Sequence, residues 1–138
     1  MGRIVSIDYG GKRSGLAVSD PLKIIATGLT TVETPKLIGF FKDYFLKEQV
    51  ELVIIGMPVN LDDSPTHATA LVQKFITAFK KFFPGVPIKE VDERFSSKMA
   101  SQAMIDMGLR KKQRQEKGRI DEIAATILLQ EYMQSMQL

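Results

Sequence analysis

A chain of 138 residues, 44% hydrophobic and 25% charged, is one domain by size (1–138) with enough apolar material to bury a core. It contains no cysteine, which excludes disulfides and thiolate metal sites and fits a soluble cytoplasmic protein. The net charge of +3 is too small to argue for a nucleic-acid partner by itself, and no apolar run reaches bilayer length: Asp8, Lys12 and Arg13 interrupt the N-terminal stretch where a signal core would lie.

Residues 3–9 and 14–19 are short apolar runs joined by a glycine turn, which predicts an antiparallel hairpin. Ile24 to Val32 predicts a third strand rich in Ile and Thr. Pro35 can open a helix at its first turn, and Leu37, Ile38, Phe41, Tyr44 and Phe45 then recur at helical spacing. The run Leu52 to Gly56 has the continuous apolar character of a strand covered on both faces. A polar loop from Asn60 to Pro65 follows, with Ser64 as N-cap of a helix that carries Ala68, Leu71, Val72, Phe75, Ile76 and Phe79 on one face. Lys80 and Lys81 suit its C-terminal dipole, and Pro84-Gly85 stops it. Val86 to Val91 is the last strand. Ser96 or Ser97 caps a helix ending at Gly108, and Ile120, Ile123, Ala124, Ile127 and Leu128 mark a final helix. Five strands and four helices in this order predict a three-layer α/β domain. Phe and Met at helical spacing are core.

Three acids stand at element ends. Asp8 closes the first strand, Glu93 follows the last, and Asp121 falls in the first turn of the final helix, beside Ala124 and Ala125. Ligands of open α/β sheets gather outside the carboxyl ends of strands. If strands one and five approach each other there, Asp8 and Glu93 share a rim. A helix packed through its alanines can bring Asp121 to the same place. Asp92 and Glu93 alternate, so one of them faces the site. Each acid also has a local explanation, as a helix-dipole, ion-pair or turn-capping group. A carboxylate set with no cysteine and one histidine favours Mg²⁺ or Mn²⁺ over Zn²⁺. The chemistry such acids support is phosphoryl transfer with two cations about 3.5–4 Å apart.

Positive charge lies near these acids. Lys12 and Arg13 sit in the glycine turn after Asp8, and Arg94 follows Glu93. Arg110, Lys111, Lys112, Arg114, Lys117 and Arg119 face one acid, Glu116, so this ten-residue segment carries +5 and the remainder of the chain −2. A basic loop hinged at Gly108 and Gly118 on a mildly acidic body points to an anionic backbone as partner. A solvated basic loop is the plainer explanation.

Four ordered motifs carry a family resemblance. Asp8-Tyr9-Gly10-Gly11-Lys12-Arg13-Ser14-Gly15-Leu16-Ala17-Val18-Ser19-Asp20 resembles the opening of the YqgF (RuvX) family. Gly56-Met57-Pro58-Val59-Asn60-Leu61-Asp62, then Asp92-Glu93-Arg94-Phe95-Ser96-Ser97, then Ile120-Asp121-Glu122-Ile123-Ala124-Ala125 match its later motifs in order. The resemblance implies a ribonuclease H-like fold, a five-stranded mixed sheet with the second strand antiparallel. It implies a metal-dependent nuclease that matures the 5′ end of pre-16S ribosomal RNA or resolves Holliday junctions. Asp8, Glu93 and Asp121 match the family's acidic metal ligands. The loop after Asn60 departs from the family pattern: it reads Asp62-Asp63-Ser64-Pro65-Thr66-His67 where a glycine and then an arginine are usual. That bears on substrate contact more than on chemistry.

Two other classes compete. A phosphotransferase of the sugar-kinase and actin superfamily also begins with a strand, an Asp and a glycine turn, but it clamps nucleotide between two domains, and the G-x-x-x-x-G-K-[ST] loop is absent. A non-catalytic nucleic-acid-binding module would use Lys12, Arg13 and the 110–119 segment and leave the acids incidental. Choice between an rRNA precursor and branched DNA is open. Symmetric cutting of a four-way junction needs two active sites, hence a homodimer, whereas trimming an RNA end needs one.

Overall fold

Successive residues of a strand point to opposite faces, so a strand with apolar residues at both parities must be covered twice. The first strand has this character. The computed structural model describes residues 2–57, 67–92 and 117–136. In it β1 (Arg3–Asp8) is the middle strand of a five-stranded sheet ordered β3-β2-β1-β4-β5, with β2 Arg13–Ser19, β3 Ala26–Glu33, β4 Val50–Met57 and β5 Ile88–Asp92. The chain enters as an antiparallel meander, β1 to β2 to β3. β4 then returns parallel to β1, and β5 parallel to β4. The second strand is thus the one that opposes its central neighbour.

Helices cover both faces. α1 (Leu37–Lys47) and α2 (His67–Phe82) lie on one side, where Val5, Ile7, Leu16, Val53 and Ile55 pack against Leu37, Phe41, Val72, Phe75, Ile76 and Phe79. Aromatic rings knit this layer: Phe41 meets Phe79 edge-on at 5.7 Å, and Phe45 meets Phe83 at 5.0 Å. α3 (Lys117–Ser135) lies on the other side, where Ile4, Ala17 and Ile54 pack against Ala125, Leu128, Leu129 and Met133. Residue parity in β1 divides these layers, odd toward α1 and α2, even toward α3. Among the described residues no helix is long and apolar enough to cross a membrane.

Local differences from the sequence reading have physical causes. β3 begins at Ala26 instead of Ile24. The Asp20 carboxylate accepts from the Ile24 and Ile25 amides at 2.6 and 2.9 Å, which holds those residues in a turn and leaves both side chains exposed. Pro35 opens a separate 3₁₀ turn, Thr34–Lys36, before α1. α3 starts at Lys117, so Asp121 lies past its first turn, and Gly118 and Arg119 are helical where a loop and hinge were expected. One glycine near a helix start costs about 1 kcal/mol, and the apolar face that follows outweighs it. β4 separates β1 from β5, so the first and last strands are two spacings apart, about 10 Å. The Ser64 cap and the helix expected over 96–108 lie outside the described residues.

Candidate active site at the carboxyl edge of the sheet

The parity of β1 decides where Asp8 points. Ser6 is fully buried and its hydroxyl donates to the Ala125 carbonyl of α3 at 2.6 Å. Asp8, the next residue of that parity, belongs to the same face. Asp121 precedes Ala125 by one turn of α3. Two residues of strand advance about 6.6 Å and four of helix about 6 Å, so one step on from the Ser6–Ala125 contact the helix has reached Asp121 and the strand Asp8. β2 confirms the alignment independently. Gly15 is the register partner of Asp8, and a Cβ placed on Gly15 would collide with the peptide joining Asp121 to Glu122. The helix therefore crosses the sheet at Asp121, over the strand pair that ends in Asp8. Both acids are half-buried.

Glu93 lies outside the described residues, as do Arg94, Arg110, Lys111, Lys112 and Arg114; of Arg119 the helical backbone alone is described. The strand leading to Glu93 is informative. Ile7 pairs with Ile55, and Ile55 with Glu90, so β1, β4 and β5 finish at the same edge. Val91 packs with the α3 layer, and Lys89 sits over the Tyr132 ring of α3 at 5.3 Å. The odd positions 89 and 91 of β5 thus face α3. Among the described residues no three acids group as a metal cluster.

The basic turn occupies the same edge. Lys12 is exposed and Arg13 half-buried. A ring of hydroxyl hydrogen bonds fixes the turn behind them. The Gly10 amide donates to Ser14 Oγ at 3.2 Å, and Ser14 Oγ lies 2.9 Å from Thr34 Oγ1. Thr34 Oγ1 donates to the Gly10 carbonyl at 2.5 Å, which leaves Ser14 as donor to Thr34. The Thr34 amide closes on the Lys12 carbonyl at 2.9 Å. Gly10 has no room for a side chain, since a Cβ there would strike the Arg13 carbonyl. Tyr9 anchors the turn to α2, its ring 5.5 Å from that of Phe75, and burial pushes its hydroxyl pKa up.

Sequence reading missed Ser6, Ser14 and Thr34. A signal was present for the first two: a serine inside an apolar strand needs a hydrogen-bond partner, and that partner marks a close approach. The donor chemistry of the edge suits a hard cation. Asp8 and Asp121 are oxygen donors, and the single histidine, His67, stands at the start of α2 instead of on β1 or α3.

Comparisons with known proteins bear on the family and the fold. A family model described as "RuvX: Holliday junction resolvase" matches residues 2–135. A Flavobacterium johnsoniae protein is 56% identical over 135 residues, with 98% of each chain covered. A Bacteroides thetaiotaomicron protein is 49% identical over 135 residues, again with 98% of each covered. Both bear the name "Putative pre-16S rRNA nuclease". Among solved structures, Thermus thermophilus RuvC in complex with Holliday junction substrate matches with a TM-score of 0.57 at 17% identity, covering 99% of this chain and 97% of that one. At that identity the likeness shows the fold alone, a ribonuclease H-like sheet with helices on both faces.

Proposed function

The chain belongs to the RuvX family, and from that premise we propose that it is a metal-dependent nuclease that hydrolyses phosphodiester bonds of structured RNA, with the 5′ end of pre-16S rRNA as substrate. The observation that supports this reading is the crossing of α3 over β1 and β2, where the Asp121–Glu122 peptide rests against Gly15, the register partner of Asp8. Relatives named for pre-16S rRNA at up to 56% identity support the substrate.

Asp8, Asp121 and Glu93 would hold the cations, Mg²⁺ or Mn²⁺. Bound there, such cations would supply Lewis-acid chemistry for activating water and neutralising charge on the leaving oxygen, as in the two-metal scheme of many nucleases. The chain's own groups do the rest. Lys12 and Arg13 grip phosphate from a turn that its hydroxyl ring holds in shape. Arg94, Arg110, Lys111, Lys112, Arg114 and Arg119 extend the contact along the backbone of the nucleic acid. The α3 N-terminus adds a favourable field for an anion at this edge. All of these groups belong to one domain, and the protein works in the cytoplasm.

A second reading, cleavage of four-way DNA junctions by a homodimer, is favoured by the description of the matching family. The test offers precursor rRNA and a synthetic junction side by side in Mg²⁺ and in Mn²⁺, with oligomeric state measured in the same buffer. Trimming of the RNA by a monomer supports the first reading. Paired symmetric cuts in the junction by a dimer support the second. Binding of both, unaffected by EDTA and without any product, would leave a non-catalytic binding module.

A further inference from the structure

A helix bearing a metal-holding acid must be located in two directions, along its axis and perpendicular to the sheet. Ser6 serves the first: its buried hydroxyl, 2.6 Å from the Ala125 carbonyl, selects one turn of α3. Gly15 serves the second. Its missing side chain lets the Asp121–Glu122 peptide rest on the backbone of β2, and any Cβ there would push against main chain that cannot swing aside. Gly28 on β3 lies under the same helix but meets something softer, the Glu122 carboxylate, whose Oε1 would be 2.5 Å from a Cβ.

Resting on the reading of Asp8 and Asp121 as cation-holding acids, we propose that Gly15 is a positioning residue of the metal site. Its bare backbone sets the height of Asp121 above Asp8, and Ser6 sets the register. The contact is made by main chain at the residue whose side chain does the work, so displacement there is not absorbed by a rotamer. A methyl group on Gly15 lifts the 121–122 peptide away from the strand pair. A methyl group on Gly28 turns one flexible side chain.

The experiment compares wild type, Gly15→Ala, Gly28→Ala, Ser6→Ala, Asp8→Asn and Asp121→Asn as full-length chains. Folding is checked by circular dichroism, Mn²⁺ affinity by calorimetry, and cleavage by separate kcat and KM. Gly15→Ala is expected to weaken Mn²⁺ binding and lower kcat by about 10- to 100-fold, the range seen when the support of a metal ligand is lost. KM for nucleic acid stays within about twofold, because the basic turn keeps its charges. Gly28→Ala stays near wild type in both. Where Gly15→Ala does not fold, Ser6→Ala carries the comparison, with the same direction expected. If Asp8→Asn and Asp121→Asn lose Mn²⁺ but Gly15→Ala or its substitute Ser6→Ala keeps it, or if Gly28→Ala weakens binding equally, the positioning role is overturned and the site stands. If the two Asp variants bind Mn²⁺ like wild type, the reading of the site itself fails.

Discussion

Replacing Thr34 by valine keeps the shape of the side chain and removes one hydroxyl. The hydroxyl ring contains three bonds that depend on side chains: Gly10 amide to Ser14, Ser14 to Thr34, and Thr34 to the Gly10 carbonyl. Thr34→Val deletes the last two. At about 1 kcal/mol net per hydrogen bond, the loss is about 2 kcal/mol. Ser14→Ala deletes the first two and costs about the same. The double variant loses three bonds, about 3 kcal/mol, so the pair should couple by about 1 kcal/mol. Urea unfolding with an unchanged m-value measures all three. Affinity for RNA should fall as the turn loosens, with the salt slope unchanged because Lys12 and Arg13 remain. A Thr34→Val cost below about 0.5 kcal/mol, or strict additivity with Ser14→Ala, would refute the ring as the device that holds the basic turn.

Three further outcomes are expected. Asp8→Asn keeps size and fold but lowers kcat by about two orders of magnitude or more, since bound cations contribute several kcal/mol to such transition states; cleavage at the wild-type rate in Mg²⁺ would remove Asp8 from the site. Neutralising Lys111, Lys112 and Arg114 together weakens RNA binding and reduces the salt slope by about one unit per lost phosphate contact, read from affinities at several salt concentrations. The Ile25 amide holds the Asp20 carboxyl below its ordinary 3.8; burial opposes it, and the Ile24 amide adds to the lowering. Its folded pKa is depressed, so its contribution is full above 3.8 and is lost as pH falls through the folded value. The difference in urea midpoint between wild type and Asp20→Ala should therefore shrink in acid, and a difference constant across that range contradicts the assignment.

Strand and helix positions were legible because their cause is local. Phe41, Phe75 and Phe79 repeat at helical spacing and do pack together, and Leu52 to Gly56 reads as a doubly covered strand and is one. Asp8 was legible as a strand-end acid for the same reason. Sheet order was less accessible: nothing within β1 or β5 says that β4 lies between them, because that depends on which helix crosses which strand. The hydroxyl ring was invisible for a similar reason, since Ser14 and Thr34 come from different strand ends and meet only after β2 pairs with β3. Boundaries shifted where a side chain competed with the ladder, as Asp20 does at Ile24 and Ile25. The start of α3 shifted because a glycine in a basic segment reads as loop until the apolar face behind it is counted.

The bond from Ser6 to Ala125 joins positions 119 apart in sequence. During synthesis, the strands and the helices of the first layer can leave the ribosome and begin to assemble while one face of the sheet is bare, with Ile4, Ala17 and Ile54 still waiting for α3. Asp121 reaches that face only when the final helix arrives. The closing contacts of this assembly are among the most distant in the chain, and contacts of such separation are in general the slower to form. The step that buries the second apolar layer is also the step that lays the Asp121–Glu122 peptide over Gly15, beside the end of β1. A nascent chain stalled before Lys117 should stay protease-sensitive and bind no Mn²⁺.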